Sequence, residues 1–280
     1  MAGRRRVGPR DLLPLSRTSK VSGGEPTGEA FRPEWIDFER GIRVGNLEPH
    51  ERITQILKYR LERRYGTPFV TDRWGRGVFW QWICWLPKAN RLAKPLSRGY
   101  TFGCAKLFIG LDRGARVFQS GLQVERGYLA ALSPYPGNVL QDDWDWHRLM
   151  GQCRRGSALE AELERLLGRE GFVAELGDFE HNLVLDKASF TSAARLRSAA
   201  ARQPPDRWVG FQLYYPMPER EVRGSTGYEL VTAIDAVFAE VAPALNLCQQ
   251  VRLEPREAGS GLSNRSSRPP RAAPPPGWDG

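Results

Sequence analysis

The sequence predicts an α+β fold in which helices pack on an antiparallel sheet. Three observations predict it: a tryptophan-rich segment with strand alternation, a later β-hairpin pattern, and helical segments on either side of both. The 280 residues are 41% hydrophobic, which is enough for a sizeable core. We expect one α+β domain over residues 31–253, between a disordered N-terminal tail, 1–30, and a disordered tail rich in proline and arginine, 254–280.

The first predicted element is a helix that begins after Pro49 and ends at Gly66. Glycine commonly follows a helix because it adopts the left-handed conformation without strain. The apolar residues recur at the three- and four-residue spacing of one helix face, and they are Ile53, Ile56, Leu57 and Leu61. This segment therefore predicts an amphipathic helix packed on the sheet.

A tryptophan-rich strand comes next, and four of the nine tryptophans lie within twelve residues from Trp74 to Trp85. Strict alternation predicts two faces, with Val78, Trp80, Trp82 and Cys84 on one and Phe79, Gln81, Ile83 and Trp85 on the other. Both faces are apolar apart from Gln81, which is typical of a strand near the middle of a sheet. We expect its three tryptophans, Trp80, Trp82 and Trp85, in the core and the strand to end at Pro87.

The stretch from Cys104 to Gly127 predicts a β-hairpin. Two segments rich in β-formers, K-L-F-I-G-L-D and A-R-V-F-Q-S-G-L-Q-V-E-R-G, flank a break at Arg113 and Gly114. Such a break between two strand-like segments is typical of a short turn. The hairpin supplies two neighbouring antiparallel strands of the predicted sheet.

Three helical segments and a strand are predicted after the hairpin. One helix begins at Ser157, with Glu160 three residues later as a capping box, and further helical structure is expected over 188–202. The segment W-V-G-F-Q-L-Y-Y within 207–215 predicts a strand that ends at the following P-M-P. The last helix begins at Thr226 with the same capping-box pattern.

These later elements resemble an uncharacterised bacterial family, the domain of unknown function numbered 2461. The resemblance covers about residues 104–248 and rests on C-A-K-L-F-I-G-L-D-R-G-A-R-V-F-Q-S-G-L, E-L-E-R-L-L-G-R-E-G-F and W-V-G-F-Q-L-Y-Y-P-M-P-E-R-E-V-R-G-S-T-G-Y-E-L. Upstream the chain departs from the family, because it has neither W-F-x-x-N-R nor F-S-K-D-K. The resemblance implies an α+β fold and supplies no mechanism.

Charge is distributed unevenly along the chain, whose formal net charge is +9. Residues 31–130 carry 18 basic and 9 acidic groups, whereas 131–250 carry 12 and 17. The tryptophan-rich half is therefore basic and the following half acidic. This asymmetry favours a surface for an anionic partner. The alternative is that the two halves neutralise each other within one fold.

The basic residues around the tryptophan-rich strand predict a surface that binds nucleic acid or another polyanion, through phosphate contacts and base stacking. The candidate residues are Arg73, Trp74, Arg76, Lys88, Arg91, Lys94, Arg98 and Tyr100. The R-W-G-R-G segment at 73–77 is expected to be a loop, either a nest of backbone amides for phosphate or a simple turn into the strand. A soluble binding protein of this kind is the preferred functional hypothesis.

Two polar segments predict the alternative function, a metal-dependent hydrolase or phosphodiesterase. In one, Asp143, Asp145 and His147 have the spacing of a divalent-metal site, although the same acids are typical of a helix N-terminus with its tryptophans packed inward. The other segment contains Asp178, Glu180, His181, Asp186 and Lys187. For that segment, a polar loop leading into a strand is the competing interpretation. A structural or interaction protein is the second alternative.

The four cysteines are too far apart in sequence for a C-x-x-C zinc or redox motif. We expect buried, reduced thiols in a cytoplasmic protein. No apolar run reaches the roughly 20 residues of a membrane span, and no cofactor is predicted. The N-terminal segment has arginines but no apolar h-region, so secretion is not expected and an organellar presequence is the alternative.

Overall fold

The computed structural model describes residues 26–97, 101–130, 136–178 and 180–256. Its strands are β1 (Ile36–Asp37), β2 (Gly41–Arg43), β3 (Phe69–Arg76), β4 (Phe79–Pro87), β5 (Lys106–Asp112), β6 (Val117–Gly127), β7 (Val173–Gly177), β8 (Asn182–Leu185) and β9 (Val209–Pro218). They form one antiparallel sheet in the order β1-β2-β4-β5-β6-β9-β7-β8, and β3 pairs with the opposite edge of β4. The predicted α+β fold, with a tryptophan-rich strand inside an antiparallel sheet and a hairpin, is confirmed.

The described residues also form helices, most of which pack on one face of this sheet. The helices are α1 (Ile53–Tyr65), α2 (Lys88–Leu92), α3 (Asp145–Gln152), α4 (Ala158–Arg169), α5 (Ala194–Arg202), α6 (Glu219–Gly224) and α7 (Gly227–Cys248). Apolar residues of α1, α3, α4, α5 and α7 join alternate residues of the strands in one core. α7 lies at the centre of this layer, in contact with β6, α1, α3 and α4.

The predicted helix ends are largely confirmed, and either a left-handed glycine or a capping side chain satisfies free backbone groups at each of them. α1 is followed by Gly66 at φ 64°, in the left-handed conformation. At α7, Thr226 and Glu229 form both halves of the predicted capping box. At α4, Ser157 accepts from the Glu160 backbone N–H at 3.0 Å, but the Glu160 carboxylate accepts from Gly156. The α4 box is therefore only half formed.

The R-W-G-R-G segment is not a loop, contrary to the prediction. Residues 73–76 belong to β3 and pair with β4 as far as Phe79. Between these strands lie Gly77, at φ 61°, and Val78. The segment is extended because its backbone groups pair with the neighbouring strand. Its amides are therefore arranged as a strand edge and form no nest for phosphate.

A β-bulge in β4 explains Gln81, the one polar residue of the tryptophan-rich strand. Trp74 lies opposite Trp82, but the next residue of β3, Gly75, lies opposite Trp80, so Gln81 is an extra residue in β4. An extra residue reverses the alternation of side chains on one side of it. The predicted common face of Trp80 and Trp82 is therefore wrong.

The bulge also decides how far each tryptophan is buried. Trp80 lies on the helix side, opposite Ile42 of β2, and Trp82 lies on the other side of the sheet. Both are half-buried, so the predicted core position is correct only for Trp85, which is 0% exposed. The Trp85 Nε1 donates to the Thr54 backbone oxygen at 3.1 Å, which satisfies its indole donor inside the core.

β9 continues through P-M-P, where the sequence predicts its end. Pro216 and Pro218 lie opposite Gln119 and Val117 of β6. The other edge of β9 pairs with β7 only as far as Tyr214. The prolines therefore lie where one edge of the strand has no neighbour within the sheet, and a missing backbone N–H is tolerated there.

Packed structure extends a few residues beyond both predicted limits of the domain. Gly28 is buried, and a Cβ on it would lie 2.9 Å from the Cβ of Val231. At the other end, the Arg256 backbone N–H donates to the Arg64 oxygen at 2.8 Å. The remaining parts of the two predicted tails, 1–25 and 257–280, lie outside the described residues.

α7 has the length and composition of a membrane span, which the sequence analysis did not predict. Its 22 residues include a window of mean hydropathy 1.5, and 50% of that window is buried inside the fold. Its apolar residues belong to the core of the helix layer.

The prediction for the cysteines is confirmed as far as burial and pairing are concerned, because Cys84, Cys104, Cys153 and Cys248 are all free and buried.

Candidate functional site

The sheet face opposite the helix layer is partly exposed, and we call it the open face. Its polar and aromatic side chains come from seven strands of the sheet, and strand register places them on one side. They are Trp74, Arg76, Phe79, Trp82, Lys106, Gln119, Gln123, Glu125, Gln212, Tyr214, Glu175 and Asn182. A core face of a soluble protein does not carry so many polar groups, so this face is the candidate site.

An arginine–aromatic corner occupies the end of the open face where β2, β3 and β4 meet. It consists of Arg40, Arg43, Trp74, Arg76 and Phe79. Trp74 is 69% exposed. The Arg40 guanidinium carbon lies 4.0 Å from the centre of the Phe79 ring, and Arg43 lies opposite Phe79 in register. The corner therefore combines an exposed indole with three cationic side chains.

A tight turn between β1 and β2 holds Arg40 in place. The Asp37 Oδ1 accepts from the backbone N–H groups of Glu39 (2.9 Å) and Arg40 (3.0 Å), as in an Asx turn. Gly41 follows at φ 123°, a conformation that favours glycine. The bulged Gln81 donates from Nε2 to the Arg40 oxygen at 2.8 Å. The bulge therefore both turns Trp80 inward and anchors the arginine of the corner.

The corner is electrostatically unsatisfied. Within the described part of the chain, Arg40, Arg43 and Arg76 make no ion pair with a carboxylate. Glu39, the acid nearest in sequence to Arg40, lies 3.8 Å from Arg116 instead. Guanidinium groups without a carboxylate partner, beside aromatic rings, are suited to anions that contain a planar ring. The five donors of each guanidinium bind the anionic group, and its planar surface stacks on the ring.

Arg73 lies on the other side of β3, stacked on the half-buried Trp80. Its guanidinium carbon is 3.9 Å from the ring centre. The pKa of Arg73 is lowered, mainly by burial and further by the nearby charge of Arg52, while Asp72 opposes the shift. The guanidinium stays charged at neutral pH because its unperturbed pKa is above about 12. Arg73 therefore contributes positive charge to this edge of the sheet from behind the corner.

A glutamine network lies next to the corner, in the middle of the open face. It consists of Trp82, Lys106, Gln123, Glu125 and Gln212. Lys106 and Glu125 form an ion pair and are 0% and 5% exposed. Burial opposes the charge on Lys106, but the Glu125 carboxylate outweighs it and raises the pKa of the lysine. Such a buried pair is costly to form unless further hydrogen bonds satisfy it.

Those further bonds run from the ion pair towards the surface. Gln123 donates from Nε2 to Glu125 Oε1 (3.1 Å), and its Oε1 accepts from Trp82 Nε1 (2.7 Å). The same oxygen accepts from Gln212 Nε2 at 3.2 Å. Gly110 lies opposite Trp82 on β5, so no side chain at that position separates the indole from β6. The network therefore joins a buried charge to a half-buried amide.

A second polar group continues across the open face to β8. Tyr214 donates from its hydroxyl to Glu175 Oε2 at 3.3 Å, and Asn182 donates to the other oxygen of the same carboxylate. Burial raises the pKa of Glu175, and the two donors oppose that shift. At the far end of the face, Phe102 packs edge-on against Trp208 with ring centres 5.2 Å apart.

The structure divides the predicted nucleic-acid residues. Trp74 and Arg76 lie together in the corner, with Arg73 behind them. Lys88 and Arg91 lie in α2, beyond the other end of β4, and β4 spans about 26 Å at about 3.3 Å per residue. The described members of the predicted set therefore lie at two different ends of β4. Arg98 and Tyr100 lie outside the described residues.

Lys94 is not a surface residue, which corrects its predicted role in anion binding. It is 1% exposed and its Nζ lies 2.6 Å from Asp145 Oδ1. The other carboxylate oxygen accepts from Asn90 Nδ2 (2.8 Å) and the Ala105 backbone N–H (2.7 Å). Burial raises the pKa of Asp145, and Lys94 opposes that shift. Lys94 is therefore a structural counter-ion inside the fold.

The predicted metal residues Asp143, Asp145 and His147 are not brought together around one point. Asp145 faces inward to Lys94, and Asp143 accepts from the backbone N–H groups of Leu96 (2.8 Å) and Ser97 (3.3 Å). His147 is exposed, with Nε2 3.1 Å from the Gln141 oxygen. The described residues contain no group of three His, Cys, Asp or Glu side chains suited to a metal ion. As in the competing interpretation, Trp144 and Trp146 pack inward at the start of α3.

The second predicted hydrolase segment forms the connection between β7 and β8 and the turn after β8. Asp178 accepts from the backbone N–H groups of Glu180 and His181 and from Arg207. Asp186 caps the turn after β8 by accepting from Ala188 and Ser189, and Lys187 is exposed. The carboxylates of this segment are therefore used by separate turns.

Sequence reasoning missed most of the open face. Arg40 and Arg43 were not predicted as site residues, because β1 and β2 are two and three residues long, which is too short for a periodic pattern. Gln123, Glu125 and Gln212 belong to segments that the sequence predicts only as strands. Their position at every second residue of long strands was the available signal, because polar residues in that pattern indicate an exposed face.

Comparison with known proteins adds no assignment to this geometry. No protein-family model matches the chain, and no curated protein is significantly similar to it. The resemblance to the domain of unknown function numbered 2461 stays a prediction.

Proposed function

We propose that this protein is a cytoplasmic binding protein for single-stranded nucleic acid, which it binds through the arginine–aromatic corner. The observation that carries the proposal is Trp74, 69% exposed on the same face as three arginines that have no carboxylate partner among the described residues. Exposing an indole to water is unfavourable unless a partner covers it. A nucleic-acid strand offers a base for the indole and phosphates for the arginines.

Single strands fit this surface better than a duplex. Bases in a duplex are stacked on each other, whereas an unpaired base is free to stack on an exposed aromatic side chain. The polar side chains next to the corner, such as Gln119 and Gln212, are half-buried strand residues and present no protruding helix for a major groove. The four buried free cysteines support a reducing compartment.

The test is fluorescence anisotropy with a labelled single-stranded oligonucleotide of about 12 nucleotides, titrated at about 50 mM and about 200 mM salt. Trp74→Ala should weaken binding about tenfold, because stacking of one base is worth about 1–3 kcal/mol. Arg76→Gln should weaken binding and reduce the salt slope by about 0.7, the contribution of one phosphate contact on a single strand.

Lys88→Gln is the matched control, since it removes the same charge from an exposed residue beyond the far end of β4. It should leave both the affinity and the salt slope close to wild type. The proposal fails if the wild-type protein does not bind at low salt. It also fails if Lys88→Gln weakens binding as much as Arg76→Gln does, because binding would then depend on net charge and not on the corner.

A further inference from the structure

The glutamine network has a fixed hydrogen-bond direction. An ionised carboxylate only accepts hydrogen bonds. Glu125 forms an ion pair with Lys106, and Gln123 turns its Nε2 towards Glu125 in a 3.1 Å bond. The Gln123 Oε1 then faces outward and accepts from Trp82 (2.7 Å) and Gln212 (3.2 Å). The buried pair and the Trp82 indole, whose Nε1–H only donates, therefore fix the orientation of the Gln123 amide together.

The orientation of the Gln123 amide fixes that of the Gln212 amide. Because Gln123 presents an oxygen, Gln212 must present its Nε2, and one of its two N–H groups is used. Its Oε1 and its second N–H have no partner among the residues that the structure describes. Gln212 is half-buried on the open face, and Trp82, which shares its partner Gln123, is half-buried as well. An acceptor and a donor therefore lie side by side near an indole.

We propose that Gln212 and Trp82 form a base-reading pocket, that is, a pocket that recognises a nucleic-acid base, with a preference for adenine. This inference rests on the proposed binding of single-stranded nucleic acid. Adenine presents a donor, N6, beside an acceptor, N7, and a glutamine amide pairs with both. Its two fused rings also offer a large surface for stacking on an indole. Lys106, Glu125 and Gln123 are positioning residues, because they orient Gln212 without touching the base.

The experiment compares labelled oligonucleotides of equal length and backbone charge, one of adenine, one of uracil and one without bases. The wild-type protein should bind the adenine strand about tenfold more tightly than the uracil strand. Gln212→Leu should lower this ratio at least about threefold, because only stacking on Trp82 then favours adenine, while the strand without bases binds as before. Gln250→Leu, an exposed glutamine outside the open face, is the control and should keep the wild-type ratio.

A second variant tests the positioning residues. The double substitution Lys106→Met and Glu125→Leu removes both charges together, so that no unpaired buried charge remains. Without the carboxylate, the Gln123 Nε2 loses its acceptor and only the Trp82 indole still holds the direction of the amide. The preference for adenine should then fall at least about threefold, with a normal melting curve and unchanged binding of the strand without bases. A retained preference in this variant would overturn the positioning role.

The outcomes separate this inference from the proposed function. Equal affinity of the wild type for adenine and uracil strands, with the salt slope intact, would overturn the base-reading pocket and leave the corner as a general binding site. An undiminished preference in Gln212→Leu would also overturn it. Absence of binding to all three strands at low salt would overturn the proposed function itself.

Discussion

Lys94→Met should destabilise the fold without affecting binding of an anionic partner. Lys94 and Asp145 are both 0% exposed at the side chain, so solvent does not screen their ion pair. Removing one partner of such a pair costs about 3–5 kcal/mol, because the other charge stays buried. The Asp145 carboxylate keeps its bonds from Asn90 and Ala105, so we expect the lower end of this range, about 3 kcal/mol.

Thermal denaturation followed by circular dichroism measures this effect. For a chain of this size, about 3 kcal/mol corresponds to a fall in Tm of about 6–12 °C. Burial already raises the folded-state pKa of Asp145, and losing Lys94 should raise it further. A raised carboxyl pKa costs stability above that pKa, and the cost disappears as the carboxyl becomes protonated. The destabilisation should therefore shrink as the pH is lowered from neutral.

Lys88→Met is the control, because Lys88 is exposed at the start of α2 and its removal should change stability by less than about 0.5 kcal/mol. An unchanged Tm in Lys94→Met would refute the structural role of Lys94. So would a destabilisation that grows as the pH falls, because protonation of Asp145 should relieve the buried charge.

Two other parts of the fold give predictions of their own. Gly121→Ala should destabilise by at least about 3 kcal/mol, because its Cβ would lie 2.0 Å from the Leu213 backbone oxygen. Gly168→Ala in α4 is the control, because its Cβ would meet nothing within 4 Å, and it should stabilise the fold by about 0.5 kcal/mol. Chemical denaturation measures both free energies of unfolding, and equal changes in the two variants would contradict this packing. Burial raises the pKa of Asp178, but donors from His181, Glu180 and Arg207 outweigh it and lower that pKa to about 2. A carboxyl titration by NMR should show this value and a rise towards about 3.9 in Arg207→Ala; an unshifted Asp178 in the wild type would contradict it.

The parts of the fold that the sequence predicted are those with local signals. α1, α4, α7 and the hairpin of β5 and β6 have periodic apolar residues, caps or a turn within a short stretch. The position of Lys94 depends on Asp145, 51 residues later in the chain, and no local pattern contains that contact. The sides of Trp80 and Trp82 depend on a bulge that appears only when β3 pairs with β4.

The candidate site was predicted in part for the same reason. Trp74 and Arg76 were identified from composition, since an exposed aromatic residue among arginines is visible in one segment. The glutamine network was not predicted, because its members come from β4, β5, β6 and β9. Sequence patterns do not reveal the order of these strands in the sheet. Only the register of Gln123 with Lys106 and Gln212 places these side chains on one face.

The central position of α7 has a consequence for how the protein is made. α7 is the last helix of the described chain, yet it packs against α1, and Arg64 of α1 lies 2.6 Å from Asp235 of α7. During synthesis the part of the sheet and of the helix layer that α7 covers stays exposed until the ribosome has released α7. Nascent chains would then expose a broad apolar surface, which recruits chaperones and delays folding until after translation of nearly the whole domain.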